Sequence, residues 1–402
     1  MALQDRLRTW YDEHPLFVAL AVLLAAYHLV YPCLDWWLRG AEIAPPFSFW
    51  DFGAYDQAVE AWQTGGEIYT RNEDGGYHGS YLYPPIVLVL FAPFAALGRG
   101  VGDPLWIAFS VAVLWIGMVL VVERLAGRRS WPERLLLAWL LAGYQPLLLA
   151  AKMGQTAAFM TGLLCVAFLT LERGAASGVA RFASGAVTGV VGVVKLAYAP
   201  VGAHLLANRD RLLGAVAAGV GLVGLSLLVF GVEVHRTYIE VLAWGFGRGG
   251  TARSPAVWLA PYFKPLGWLA ESLWLRLVAV TAVVLAAVLA RDRDREIFAL
   301  GLAAFPLLTT LAYTYYLVAL LPAAAILIHG ELTRGGRPVV PTLGIGLASV
   351  HAYGLLAITT LVPRYLPVLD ERLVYFLAQP GTWGCLLLAG TAFARVIGGI
   401  ER

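Results

Sequence analysis

Long apolar runs separated by short polar loops recur along the chain, near residues 15–36, 103–122, 135–151, 155–171, 182–207, 212–230, 272–290, 297–312, 314–329, 340–362 and 379–394. A helix needs about 20 apolar residues to cross a ~30 Å hydrocarbon core, so runs of this kind are candidate membrane spans. The run 182–207 is too long for one span and carries Lys195 in its middle. It is expected to divide into two short helices meeting near that lysine, which makes twelve spans. The predicted fold is an all-α polytopic membrane protein in a single integral-membrane domain over residues 1–402, with little left over for a separate soluble domain. Asp5, Arg6, Arg8, Asp12 and Glu13 precede the first run and no small-residue cleavage site follows it, so it reads as a retained helix and not as a signal peptide.

One apolar segment breaks the pattern. Residues 81–98 contain Pro84, Pro85 and Pro93, which would interrupt a spanning helix in three places. The arginines agree with excluding it. They cluster at 123–134, 172–181, 208–211, 291–296 and 331–337 and at both ends of the chain, and these clusters share one face only if 81–98 does not cross. Seventeen of the 29 Arg and Lys then lie on the cytoplasmic side with both termini, as the positive-inside bias requires. The segment is expected to be a re-entrant or interfacial helix. Three stretches, 37–102, 231–271 and 363–378, would then share the extracytoplasmic face.

Composition supports the membrane reading: 59% of residues are apolar, only 14% are charged and the mean hydropathy is +0.71. The net charge of +3 forms no basic tract, so nucleic acid is not an expected partner. Cys33, Cys165 and Cys385 sit in or beside apolar runs without CxxC or Cys/His spacing, which points to packing and not to a disulfide framework or a zinc site.

Against this background the loop 37–102 is unusually polar and aromatic. Its sequence Phe49-Trp-Asp51-Phe-Gly-Ala-Tyr55 is followed by Tyr81-Leu-Tyr83-Pro-Pro, then by Met153-Gly-Gln155 opening a helix, then by Lys195 after a Gly-rich run. These four motifs in this order resemble glycosyltransferase family 87, over roughly residues 15 to 330. The resemblance implies a GT-C-type fold and polyprenyl-phosphate-mannose-dependent α-mannosyl transfer. It also implies an acidic catalytic base on the first extracytoplasmic loop, which maps to Asp51. Chemistry suits that role, since a carboxylate that accepts the acceptor hydroxyl's proton is worth typically ~10²–10⁴ in rate. Trp50, Phe52 and Tyr55 offer aromatic surface to raise its pKa and stack on sugar rings. The alternative for Asp51 is an N-cap of the helix-like stretch 54–63.

Asp56 follows five residues on, about 500° around a helix, and reads as a supporting or solvated acid with some chance of touching substrate. Glu73-Asp74 beside two glycines reads as a turn. A lipid-linked sugar phosphate is the expected donor, because nucleotide sugars are cytosolic. The cations available to its phosphate are Lys152, Lys195, Arg248, Arg253 and Lys264. Lys195 reads as a donor-phosphate ligand or as half of a structural pair with a carboxylate, Lys152 as a ligand or a snorkelling helix end. Arg248 and Arg253 lie in a Gly-rich segment, 245–254, suited to phosphate or simply flexible. Gln155 suits a sugar hydroxyl or a backbone cap, and Tyr81 and Tyr83 an aromatic belt or a site. The chain departs from many relatives where they carry a histidine before Leu-Leu-Pro, since here Tyr315 and Tyr316 precede Leu320-Leu321-Pro322.

The expected function is hexosyl transfer, most readily of mannose, from a polyprenyl phosphate to a lipid or glycan acceptor on the extracytoplasmic face. No cofactor is required, and a divalent metal is possible but not expected. A secondary transporter, favoured by intramembrane Lys195 and paired short helices, and a non-catalytic envelope-pathway subunit remain the alternatives. No two-half repeat supports the transporter.

Overall fold

The computed structural model describes residues 11–42, 44, 46–73, 76–78, 81–174, 176–247, 262–263, 273–290, 292–309, 312–352, 364–365 and 379–400. Every predicted apolar run contains helix. The first is α1 (Pro15–Gly40), started by a proline at its N-terminus. After it come α2 (Trp50–Thr64), α3 (Val87–Ala95), α4 (Gly102–Ala126), α5 (Trp131–Ala142), α6 (Gln145–Met153), α7 (Ala157–Arg173) and α8 (Gly178–Val194). A 3-10 helix, Leu196–Ala207, leads to α9 (Arg209–Gly247), then β1 (Tyr262–Phe263), α10 (Leu273–Leu289) and α11 (Asp294–Leu308). Next are β2 (Ala312–Tyr313), a second 3-10 helix Thr314–Ala319, α12 (Leu320–Thr333), α13 (Val339–Ser349) and α14 (Pro380–Ile400).

Among the described residues five helices are long and apolar enough to cross a membrane alone, and six spans result if bent α5 and α6 are one. The expectation of twelve is therefore not met helix by helix. Several apolar runs form helices of 17 residues or fewer, such as α8, while the 135–151 run breaks by 70° between Ala142 and Gln145. At that break a side chain on Gly143 would overlap the His28 carbonyl of α1, so only glycine lets the bend pack there. The large apolar side chains left exposed, Leu16, Val220, Leu228 and Val232 among them, suit lipid contact in a multi-pass membrane protein.

α3 is nine residues long, a rise of ~14 Å that is about half the hydrocarbon core and too short to cross it alone. The 182–207 run does divide at Lys195, whose backbone is extended (φ −146°, ψ 98°) between α8 and the 3-10 helix. The stretch 231–271, expected as a loop, is helical as far as Gly247, with a kink at Gly231 (φ 74°) inside α9. Trp62 of α2 packs on Phe230 at the kink, and Tyr69 on Tyr238 and Tyr77 on Trp244 lay the second half of α9 along the segment after α2. Arg248, Arg253, Lys264, Asp74 and nearly all of 363–378 lie outside the described residues.

The arginine clusters meet at one end of the molecule. Glu172 of α7 joins Arg124 of α4 and Arg295 of α11, Arg334 pairs with Glu296, Arg395 with Glu331, Arg211 with Asp294 and Arg181 with Asp210. α4 and α7 run from that end, over ~37 Å and ~26 Å, to the end where Asp103 and Gln155 stand.

Candidate active site

Asp51 occupies the first turn of α2. The N-cap is Phe49, in a left-handed conformation (φ 47°, ψ 34°) and without any side-chain cap, so the capping alternative for Asp51 does not hold. Two contacts seat this helix end. The Lys152 carbonyl at the end of α6 accepts the Ser48 N–H at 3.0 Å and the Phe49 N–H at 2.9 Å. Next to it Gly154, at φ 78°, lies so near Phe52 that a Cβ there would come within 2.7 Å of the Phe52 Cβ. Trp106 of α4 fixes the same turn by donating to the Gly154 carbonyl at 3.0 Å. The Met153-Gly-Gln155 motif is thus the seat of the helix that carries Asp51.

Phe52 and Tyr55 are fully buried against Phe91 of α3, with the Tyr55 and Phe91 rings stacked at 4.2 Å. Trp50, expected to flank the carboxylate, is 77% exposed. The Tyr81–Pro85 turn is held by Tyr69 donating to the Tyr83 carbonyl at 2.7 Å and Tyr81 donating to the Pro84 carbonyl at 3.0 Å. It delivers the Tyr83 hydroxyl to the centre of the cluster. That hydroxyl receives Tyr55 OH at 3.3 Å and Lys195 Nζ at 3.1 Å, and lies 3.2 Å from Gln155 Oε1 and 2.9 Å from Thr156 Oγ1. Gln155 Oε1 also accepts from Tyr55 OH at 3.4 Å, which leaves its amide N–H groups for the Asp51 side.

Lys195 sits among three aromatic faces, its Nζ 5.2 Å from the centre of the Tyr83 ring, 5.1 Å from Tyr315 and 4.9 Å from Tyr316. Among the described residues no carboxylate lies within salt-bridge distance of it, so the structural-pair reading is not supported there. Ring quadrupoles and one hydroxyl hold the ammonium without cancelling its charge, which stays available to an anion. The departure at Tyr315 and Tyr316 acquires a reason: these tyrosines hold the cation. Tyr144 donates to the Leu317 carbonyl at 2.8 Å, and β2 pairs antiparallel with β1, Tyr262 opposite Tyr313, so both sides fix the segment that carries them.

Asp51 Oδ2 is buried and has no partner with hydrogen-bond geometry among the described residues. Burial pushes the Asp51 carboxyl above its ordinary range, opposed by the Gln155 side chain and the Lys195 charge. Burial likewise holds Tyr55 far up and protonated, with Tyr83 and Asp51 adding to the shift.

Two candidate residues fall outside the cluster. Lys152 is locked to Asp35 at 2.6 Å with both side chains buried, and Asp35 also accepts from Arg39 Nε at 3.1 Å. Lys152 is therefore occupied and contributes its carbonyl, not its charge. Asp56 faces the other way, its carboxyl raised by burial and Asp103 and lowered by Arg99, whose guanidinium lies over Gly53. Asp35 and Thr156 were not candidates. An acid closing an apolar run, in Cys33-Leu-Asp35-Trp-Trp, is a signal that demanded a partner, whereas nothing marks Thr156. Among the described residues no three His, Cys, Asp or Glu side chains converge to hold a metal.

The model of glycosyltransferase family 87 matches residues 81–314, more than half of the 402. The chain belongs to glycosyltransferase family 87. The match contains Tyr83, Lys152, Gln155, Thr156 and Lys195 of this family member, while Asp51 precedes it and Tyr315 and Tyr316 follow it. Two solved structures of ArnT from Cupriavidus metallidurans are similar to this chain. The one bound to undecaprenyl phosphate has 16% identity and TM-score 0.39, over 93% of this chain and 78% of that one. The one in the apo state has 14% identity and TM-score 0.40, over 94% of this chain and 77% of that one. No curated protein matches the chain.

Proposed function

We propose that this membrane glycosyltransferase moves a hexose, mannose in the first instance, from a polyprenyl phosphate to a hydroxyl of a lipid or glycan on the extracytoplasmic face. One observation carries the reading: a buried, unpartnered carboxylate oxygen of Asp51 stands in the same cluster as Lys195, a caged ammonium with no carboxylate of its own among the described residues. A base for the acceptor and a cation for the leaving phosphate are what the reaction needs, and burial strengthens both.

In this reading Asp51 takes the proton of the acceptor hydroxyl as its oxygen bonds to the anomeric carbon. The bond from that carbon to the phosphate oxygen breaks, and the electron pair leaves with the polyprenyl phosphate, whose growing charge faces Lys195. Displacement in one step inverts the anomeric carbon, so a β-linked donor yields an α-glycoside. Gln155 orients Asp51, and the hydroxyls of Tyr55 and Tyr83 keep Gln155 and Lys195 in place. The chemistry calls for no cofactor. The cytoplasmic position of both termini and of the arginine-rich end, with the Asp51 cluster outside, belongs to the same proposal and rests on the positive-inside bias. Tyr315 and Tyr316 act through Lys195, and Arg248, Arg253 and Lys264 are retained as further donor-phosphate ligands on sequence grounds alone.

The test is transfer of radiolabelled mannose from polyprenyl-phosphate-mannose to lipid acceptors by purified protein in liposomes, wild type beside Asp51→Asn. Transfer by the wild type, lost in the variant while donor binding persists, is the expected result. Absence of transfer by the wild type with a series of polyprenyl-phosphate sugars and a crude lipid extract would return the protein to the transporter or subunit reading.

A further inference from the structure

A base must be held still, yet α2 begins without a side-chain cap at Phe49, whose backbone is left-handed. What fixes the entry to this helix is Lys152, whose carbonyl accepts both the Ser48 and the Phe49 N–H groups, at 3.0 and 2.9 Å. The side chain of the same residue runs to Asp35 Oδ1 at 2.6 Å, with 5% and 3% of the two side chains exposed. Asp35 lies ~30 Å along α1 from Pro15, at the end nearest the site, and its other oxygen is held by Arg39. One residue therefore joins the first membrane helix to the two peptide groups immediately before Trp50 and Asp51.

A buried ion pair is weak evidence of stability, because desolvating two charges offsets their attraction, and what it supplies reliably is a fixed geometry. Here the fixed point is the last turn of α6, where the Lys152 carbonyl accepts from Ser48 and Phe49 outside the helix. We propose that the Asp35–Lys152 ion pair is the anchor that positions the catalytic base, making Asp35 a positioning residue of the transfer reaction; this rests on the reading of Asp51 as that base. Neither side chain of the pair meets substrate. Their work is to hold the Lys152 carbonyl where it sets the direction of α2.

The experiment uses full-length protein in liposomes and measures kcat and the KM for polyprenyl-phosphate-mannose. The double variant Asp35→Asn/Lys152→Met removes both charges together, so no lone buried charge is left to unfold the chain. Its kcat is expected to fall by about 10²-fold, as a reacting group displaced by ~1 Å would cause, with the donor KM unchanged. Asp35→Glu, which keeps the carboxylate, is expected to recover most of the rate lost in Asp35→Asn. Wild-type kcat in the double variant overturns the proposal, as does a change confined to KM. Asp51→Asn is measured alongside: full transfer by that variant removes the base itself, whereas an inactive Asp51→Asn beside a normal double variant removes only the anchor.

Discussion

At the scale of single residues, the burial that suits Asp51 to its proposed role also makes it a liability to the fold. A base works ionised, and burial raises this carboxyl, so the acidic limb of kcat/KM is expected above the ordinary carboxylate value of ~3.9. The stability consequence has the opposite sign. A carboxyl whose pKa is higher folded than unfolded contributes stability below the unfolded value and loses it as pH rises through the folded value. Asp51→Asn is therefore expected to melt at a higher temperature than wild type at neutral pH, with the gap closing once the solution is more acidic than the ordinary carboxylate range. Melting curves of both proteins in detergent across that range decide it, and equal midpoints at neutral pH would contradict it. Lys195 shows how a residue reading narrows once neighbours are known. The sequence marks a cation in the middle of an apolar run, and the structure sets three tyrosine faces around it.

At the scale of elements, the turn between α6 and α7 matters more than its length promises. Gly154 is left-handed and has Phe52 packed where a side chain would go, so it allows α2 to seat. Gly154→Ala is expected to cost at least about 1–2 kcal/mol from its backbone conformation alone, with overlap against Phe52 adding to it, and to reduce transfer by shifting Asp51. Gly65 is the control, because it has a similar φ of 76° with open space around it. Gly65→Ala is expected to lose stability without losing rate. Thermal midpoints and transfer rates of the two variants check the pair, and a normal rate in Gly154→Ala would show that the seat is not critical. The shortness of α3 was legible because prolines interrupt a long helix, and the break at Lys195 because a charge in the middle of an apolar run is costly within a bilayer. The helical continuation of α9 past Gly231 was not legible, since its polar residues read as loop until Tyr69 and Tyr77 are seen packed on it.

At the scale of the whole molecule, ion pairs tie the ends of α4, α7, α11, α12 and α14 into one belt, and the Asp51 cluster stands at the far ends of α4 and α7. Residues of the belt loops and of the Asp51 loop should therefore label from opposite sides of a sealed membrane. With Cys33 replaced by serine and the other two cysteines buried, Arg128→Cys is expected to resist a membrane-impermeant maleimide in right-side-out vesicles, while Glu67→Cys reacts. Reaction of both from one side would break the two-ended arrangement. Reversed labelling would keep it and invert the topology.

The sequence by itself determined the membrane class, the short helix in the proline segment, the division at Lys195 and, through its motifs, the family, because hydropathy, proline and charge act locally and leave their mark along the chain. It also singled out Asp51, Tyr55, Tyr83, Gln155, Lys195, Tyr315 and Tyr316. Only the tertiary structure decided that these meet, that Lys152 belongs to Asp35 and that Asp56 turns away. Which cation finds a carboxylate depends on how helices more than a hundred residues apart pack, and burial, which tunes each charge, exists only once they have packed.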